Sequence, residues 1–261
     1  MIKNKIHSFF KFFSKKLVSM ESNIEEVTSF IKNLKPIKGN FELIRVGSKF
    51  DGGYLIPNDL EGIKTCFSPG TSDNCSFELD LAENYNVKSY MCDWSVENSP
   101  VNHKNLIFTK KYLGIINNSK YQTLETWIKN TVPNNNSILQ MDIEGSEYSV
   151  ILSVKEEILL NFRILIIEFH DLDMLFTKIG FNTINSTFEK LLENFRIVHI
   201  HPNNCCGVYE YKGIEVPKVM EFTFLNKNRM GPYKKAVDFP HKLDSPNTKL
   251  PNIDLPKIWF E

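Results

Sequence analysis

The sequence predicts a doubly wound α/β sheet with helices on both faces, an antiparallel pair of strands at one edge, an N-terminal helical segment and an extended C-terminal arm. Three observations lead there. Short apolar runs alternate with helix-length segments between residues 62 and 201, the rhythm of βαβ units. The run FRILIIEF at 162–169 is almost wholly apolar, as a strand buried on both faces of a parallel sheet must be. Polar residues cluster where such strands stop, and ligands of open α/β sheets bind beyond the carboxyl ends of the strands.

The elements follow in order. Residues 62–67 (GIKTCF) form a strand that stops at the Ser68-Pro69-Gly70 turn, and 77–84 is helical. Residues 87–92 are a second strand ending at Asp93, and 106–108 a third. Residues 122–129 are helical with Thr123 as N-cap. The strand 137–141 (SILQM) delivers Asp142, and 146–152 returns as helix. After 162–169 come a helix at 188–194 and strands at 196–201 and 219–225. No long helix separates the last two strands, so they pair antiparallel at an edge. Segments 172–190 and 203–220 read as loop-rich and are the expected source of a substrate pocket.

The ends differ from this middle. Lys3, Lys5, Lys11, Lys15 and Lys16 interleave with Phe9, Phe10, Phe12 and Phe13 in a stretch with no acid. It lacks the uninterrupted apolar run of a signal peptide, and no stretch reaches the ~18 apolar residues of a spanning helix. Peripheral contact with an anionic membrane is compatible with it; packing of the Phe face on its own domain or on a second copy is favoured. From 227 to 261 five prolines exclude a helix, and Ile258, Trp259 and Phe260 close the arm as a docking group for the body or a partner chain.

Charge excludes one class of partner. Lys and Arg number 31 and Asp and Glu 31, without the basic excess of a nucleic-acid binder. The neutrality is a sum of unlike parts, a basic N-terminus offsetting an acidic sheet rim. Five cysteines without a C-x-x-C pattern make neither a disulfide framework nor a zinc ribbon, and read as a reduced, cytoplasmic protein.

The rim residues carry the candidate chemistry. The turn 68–73 has the place of a nucleotide-binding loop but one glycine, Gly70, against the three of a dinucleotide fingerprint. A donor without phosphates, such as S-adenosylmethionine, needs only a close backbone approach there; an ordinary strand–helix turn is the alternative. Asp93 ends a strand where a carboxylate can accept both ribose hydroxyls, with Trp94 beside it to cover an adenine face. Asp142 and Glu144 frame the turn MDIEGSEY, and period-two alternation puts Glu168 and His170 on one side with Phe169 opposite. These groups suit Mg²⁺ or Mn²⁺, or a general base, or a hydrogen-bonded rim without metal. His199 and His201 fall together by the same alternation. Asp51-Gly52-Gly53-Tyr54 is, by itself, a tight turn.

Eight blocks in register then become informative together: DGGYLIP (51–57), FSPGTSDNCSFELDLA (67–82), CDW (92–94), TLETWI (123–128), MDIEGSEY (141–148), IIEFHDL (166–172), HIHPNN (199–204) and EFTF (221–224). They resemble the FkbM-type methyltransferases, specifically a bacterial branch among polysaccharide-modifying enzymes. The resemblance covers a domain at 41–226 and leaves 1–40 and 227–261 outside. It implies a class I methyltransferase (Rossmann-like) fold, S-adenosylmethionine as donor, and O-methylation of a sugar or nucleotide-sugar hydroxyl. It implies a donor loop at Ser68, Gly70 and Ser72, a ribose acid at Asp93, and Asp51 and Tyr54 closing over the methionine end. Asp142 falls where metal-dependent members of the wider fold hold their first ligand, and Glu168 and His170 where the next ones come from. His170 is the expected base or ligand, with His201 the second choice. A non-catalytic nucleotide-binding or scaffold protein and a metal-dependent α/β hydrolase are the competing readings.

Overall fold

The computed structural model describes residues 20–131 and 136–261. The basic stretch at 1–19, with the membrane or subunit contact considered for it, lies outside them.

Seven strands form the central sheet: β4 (Thr65–Pro69), β5 (Lys88–Cys92), β6 (Leu106–Thr109), β9 (Ser137–Met141), β10 (Phe162–Phe169), β11 (Phe195–Pro202) and β14 (Met220–Asn226). Their spatial order is β11-β14-β10-β9-β4-β5-β6. The ladders from β6 to β10 are parallel, and β14 runs antiparallel to both its neighbours. The antiparallel pair does lie at one edge, but β14 is inserted between β10 and β11, so the outermost strand is β11. In chain order the seven read 3-2-1-4-5-7-6, with only the seventh reversed: the class I methyltransferase fold.

Apolar burial fixes what covers each face. On one, α1 (Ile24–Asn33), α4 (Glu147–Ser153) and α6 (Lys178–Asn194) contribute Phe30, Ile151 and Phe188 to a core with Phe169, Phe222 and Phe224. Phe188 lies 4.7 Å from Phe169 and 5.0 Å from Phe222 between ring centres, good distances for tilted aromatic pairs. On the other face, the hairpin of β2 (Leu43–Gly47) with β3 (Gly53–Pro57) and α2 (Ser76–Tyr85) pack Tyr54, Ile56, Phe77 and Leu81 against Ile138, Ile164 and Leu225. The DGGY turn is therefore the tip of a hairpin lying over the sheet.

Two segments read as loops are ordered. Residues 178–194 form a 17-residue helix capped by Thr177, whose Oγ1 accepts from Gly180 N at 3.1 Å. Within 203–220, β12 (Val208–Tyr211) and β13 (Ile214–Pro217) make a hairpin turning at Lys212 and Gly213, both at positive φ, as a two-residue type I′ turn demands. The helix at 122–129 is shorter than expected: Tyr121–Gln122 is a strand, β8, paired with β7 (Tyr112–Leu113), and the helix α3 begins at Leu124.

The arm crosses the sheet edge. Its strand β15 (Lys234–Lys235) pairs with β1 (Ile37–Lys38), and Trp259 is wholly buried against Phe222, with its indole N–H donating to the Glu215 carbonyl at 3.2 Å. Phe260 packs on Phe239. No helix among the described residues is long and apolar enough to cross a membrane. Trp259→Ala should cost about 3–5 kcal/mol of stability through the cavity it leaves; a urea midpoint equal to wild type would show that the arm contributes nothing to the core.

Candidate functional site

Strand register builds the rim. Met141 stands opposite Ile167 in the parallel β9–β10 ladder, so the next residues, Asp142 and Glu168, end neighbouring strands on the same side. His170 follows two residues on, with Phe169 turned into the core as alternation requires. One ligand atom each from Asp142, Glu168 and His170 lies within 4.8 Å of the others. His170 Nε2 is 3.7 Å from Asp142 Oδ1, 3.7 Å from Glu168 Oε1 and 3.4 Å from Glu144 Oε2. Beneath it the fully buried Glu147 holds His170 Nδ1 at 3.2 Å and accepts from the N–H groups of Ile143 and Gly145. Glu147 thus clamps the DIEG turn and orients the imidazole together, a role that went unread although the residue sits in MDIEGSEY.

Electrostatics follow from crowding acids where water is scarce. Burial drives the Asp142 carboxyl up to about 7 against the pull of His170. Burial, then Asp142 and Glu221, hold Glu168 well above the usual carboxylate range. Burial alone would depress His170, but Glu147, Asp142 and Glu144 outweigh it and raise the imidazole above its ordinary value. Such a group shares protons as a unit. Asp142 Oδ1 and Glu168 Oε2 are buried without a hydrogen-bond partner.

A cavity of about 350 Å³ opens beside this cluster, lined by Gly70, Ser72, Asp93, Tyr112, Tyr121 and Asp142 among others. A second compartment of about 200 Å³ adjoins it, with Asp51, Tyr54, Asn74, Glu78 and Asp142 in its lining. The larger cavity has an aromatic wall, Tyr112 and Tyr121 packed 5.6 Å apart, with the acid Asp93 in the same lining, and the smaller one is a polar chamber. Gly70 has a second reason to be glycine: its φ is +87°, and a Cβ there would stand 1.5 Å from the Asp142 carbonyl oxygen. The loop and the DIEG turn are packed backbone to backbone.

The remaining expected site residues are placed unevenly. Asp93 lines the larger cavity, its carboxylate accepting from Ser72 N (3.0 Å) and Ser95 N (2.7 Å), so it also fixes the loop. Trp94 is not part of the lining; its ring lies under Lys110 and Lys120, and the aromatic rings in the lining are those of Tyr112 and Tyr121. Those tyrosines sit on two-residue strands too short to leave a periodic signal. Ser68 is fully buried and lines neither cavity, its Oγ lying behind the smaller one between Glu78 and Gln140 Oε1, the latter at 2.5 Å; Gln140 in turn donates to Tyr54 Oη at 3.0 Å. His201 lies two strands from Glu168, in register with Glu221 and facing Asp244 of the arm, and the same carboxylate accepts from His199 Nε2 at 2.8 Å. The helix α6 lies across the other face, and arm residues 241–250 occupy the rim where 172–190 was expected.

Glu78 supplies a pH test. One Ser68 proton cannot serve both neighbouring oxygens, and burial pushes the Glu78 carboxyl up to about 7, so a neutral Glu78 donates the second bond. Its folded pKa lies above its unfolded one, so stability is full below pH 4.5 and declines as pH rises towards 7. Relative to Glu78→Gln, the wild type should lose on the order of 3 kcal/mol across that window. Parallel urea-stability profiles of the two proteins between pH 4.5 and 8 would contradict this.

Residues 83–197 match the family model described as the methyltransferase FkbM domain. No curated protein matches the sequence. Among solved structures, the chain is similar to precorrin-6y C5,15-methyltransferase from Geobacter metallireducens GS-15, at 8% identity and a TM-score of 0.36, over 63% of this chain and 81% of that one. It is similar to TrmK of M. capricolum in complex with S-adenosyl-homocysteine, at 14% identity and a TM-score of 0.33, over 65% and 64%. For a chain of the fibrillarin/Nop5p complex the values are 11%, 0.41, 74% and 98%. The strand order and the cavity at the ends of β4 and β5 agree with that match: over residues 83–197 the chain is similar to the methyltransferase FkbM domain.

Proposed function

We propose that the protein transfers a methyl group from S-adenosylmethionine to a sugar hydroxyl, with Asp142, Glu168 and His170 preparing that hydroxyl. The observation that carries this reading is the meeting of the three side chains within 4.8 Å, with Asp142 among them lining the cavity of about 350 Å³. Asp142 borders both compartments, so acceptor chemistry there adjoins the donor.

Tyr112 and Tyr121, packed 5.6 Å apart, would offer one aromatic wall to the adenine, Asp93 would take the ribose hydroxyls, and Asp51 with Asn74 would receive the amino-acid end. The acids of the rim suit a cationic donor. Alignment of acceptor oxygen, methyl carbon and sulfur is the main task, because the sulfonium is already activated. A sugar hydroxyl is a weak nucleophile until its proton is drawn off. His170, with Nδ1 held by Glu147, presents Nε2 to the space shared with Asp142 and Glu168 and is the group to take that proton. Two carboxylates and an imidazole also fit Mg²⁺ or Mn²⁺, and the unpartnered Asp142 Oδ1 and Glu168 Oε2 are oxygens such an ion would satisfy. A divalent ion bound there would lower the acceptor hydroxyl's pKa. Either way His170 and Asp142 act at the same oxygen.

S-adenosylhomocysteine at 100 times its Kd should stabilise the protein by about 2.7 kcal/mol, measured as a thermal shift. No shift at millimolar ligand would return the protein to a non-catalytic role. His170→Ala should keep that shift and lose about 10²–10⁴-fold in turnover; wild-type turnover in the variant would remove His170 from the chemistry. Mn²⁺ should add a further shift that EDTA reverses and Asp142→Ala abolishes, and an unchanged shift in that variant would place the ion elsewhere.

A further inference from the structure

Glu168, Glu221 and His201 stand side by side on β10, β14 and β11, each cross-strand paired with the next. The row runs away from His170 over two strand spacings, about 10 Å. The arm roofs it: Asn247 donates to Glu221 Oε1 at 2.6 Å, and Asp244 faces His201 Nδ1 at 3.8 Å. Glu221, Glu168 and Asn247 are each more than nine-tenths buried. Three polar atoms here have no partner among the described residues: Glu168 Oε2, Asn247 Oδ1 and His201 Nε2. Leaving one buried polar atom unpaired costs about 1–3 kcal/mol, so the three around one row call for water or a polar ligand beside them. Next to the row, between His201 and the arm, lies a cavity of about 140 Å³ that mixes Asp244 and Asn204 with Phe239, Pro240 and Leu255. Carboxylate and amide groups interspersed with flat apolar surface suit a ligand with both hydroxyls and C–H faces.

We infer that the C-terminal arm completes the acceptor half of the active site, Asn247 with Glu221 and His201 forming a subsite for the distal part of an uncharged, hydroxyl-rich acceptor. This rests on the methyltransferase reading above, for which Glu168 and His170 are the reacting end of the same row. The roughly 10 Å span calls for an acceptor longer than one sugar ring, with the methylated hydroxyl at His170 and the remote ring under the arm. Charge narrows the class further. Asp244 and Asp254 line the cavity, while the guanidinium of Arg45 is hydrogen-bonded to the carbonyls of Ser48, Phe50 and Leu243. A sugar carrying a diphosphate meets carboxylates there, and like charges facing across a site are how partners are rejected. Binding energy gathered at the remote ring holds the reacting hydroxyl in place.

Saturation-transfer NMR on the protein saturated with S-adenosylhomocysteine tests this. The probes are methyl glycosides of the common hexoses, their disaccharides, and UDP-glucose as the diphosphate-bearing control. The expected result is transfer to at least one disaccharide, stronger than to its monosaccharide, and none to the sugar of UDP-glucose. Asn247→Ala, Asn247→Asp and Glu221→Gln should each cut that transfer at least fivefold while leaving the thermal shift by S-adenosylhomocysteine as in wild type. Equal transfer in all three variants, preference for UDP-glucose, or no transfer to any saccharide would overturn the assignment of the arm. Loss of the thermal shift from the wild-type protein would instead overturn the methyltransferase reading, so the two failures are distinct. If Asn247→Ala does not fold, the isosteric Asn247→Asp and Glu221→Gln carry the same comparison.

Discussion

Met141 faces Ile167 across the β9–β10 ladder, and the meeting of side chains at the rim follows from that pairing. Strand alternation has a period of two, so a slip by one residue would send Asp142 to one face and Glu168 to the other. The alternation is enforced by what lies beneath: Ile164 and Ile166 belong to one core, Leu165, Ile167 and Phe169 to the other. Two different hydrophobic cores thereby lock the register from both sides. The polar cluster is expensive to hold together, and its cost is met by apolar packing it does not touch.

Glu147 adds the second level of control. A carboxylate with no exposed surface, accepting from two backbone N–H groups and a ring nitrogen, leaves the turn and the imidazole little freedom. Groups held this way approach their partners without a reorganisation cost at the moment of reaction. The Ser68–Asp73 loop is fixed by the same device on the other side, where Asp93 accepts from Ser72 and Ser95. Two acids therefore shape the two loops that border the larger cavity.

Much of this was legible in the sequence where burial dominates. The strands Ser137–Met141 and Phe162–Phe169 were read to the residue because an inner parallel strand must be apolar throughout. The helix Lys178–Asn194 was half missed, since Gly180, Asn182, Thr183, Asn185, Ser186 and Thr187 are poor helix formers. Its first turns are held by the Thr177 cap and by contact with Met174, neither of which has a periodic signature. At the site, alternation correctly put Glu168 beside His170. It could not show that Ser68 turns inward or that Trp94 lies outside the cavity lining, because both depend on partners remote in sequence: Gln140 for one, Lys110 and Lys120 for the other. The arm's part was invisible for the same reason, as Asn247 meets Glu221 only after the sheet has formed.

The tethers of the arm are mostly main-chain. Arg45 grips the Leu243 carbonyl, Asp51 N–H the Asn247 carbonyl, and Asn204 the carbonyls of Thr248 and Leu250. Backbone anchors hold whatever side chains the anchored residues carry. Side chains add to these anchors at Asp244, Asn247 and Trp259, and the arm lies beyond the matched segment 83–197. On the acceptor reading proposed above, substitutions in the arm would change what the chain accepts while the cavity at the ends of β4 and β5 keeps its lining. Likeness across the matched segment would then say more about the reaction than about its target.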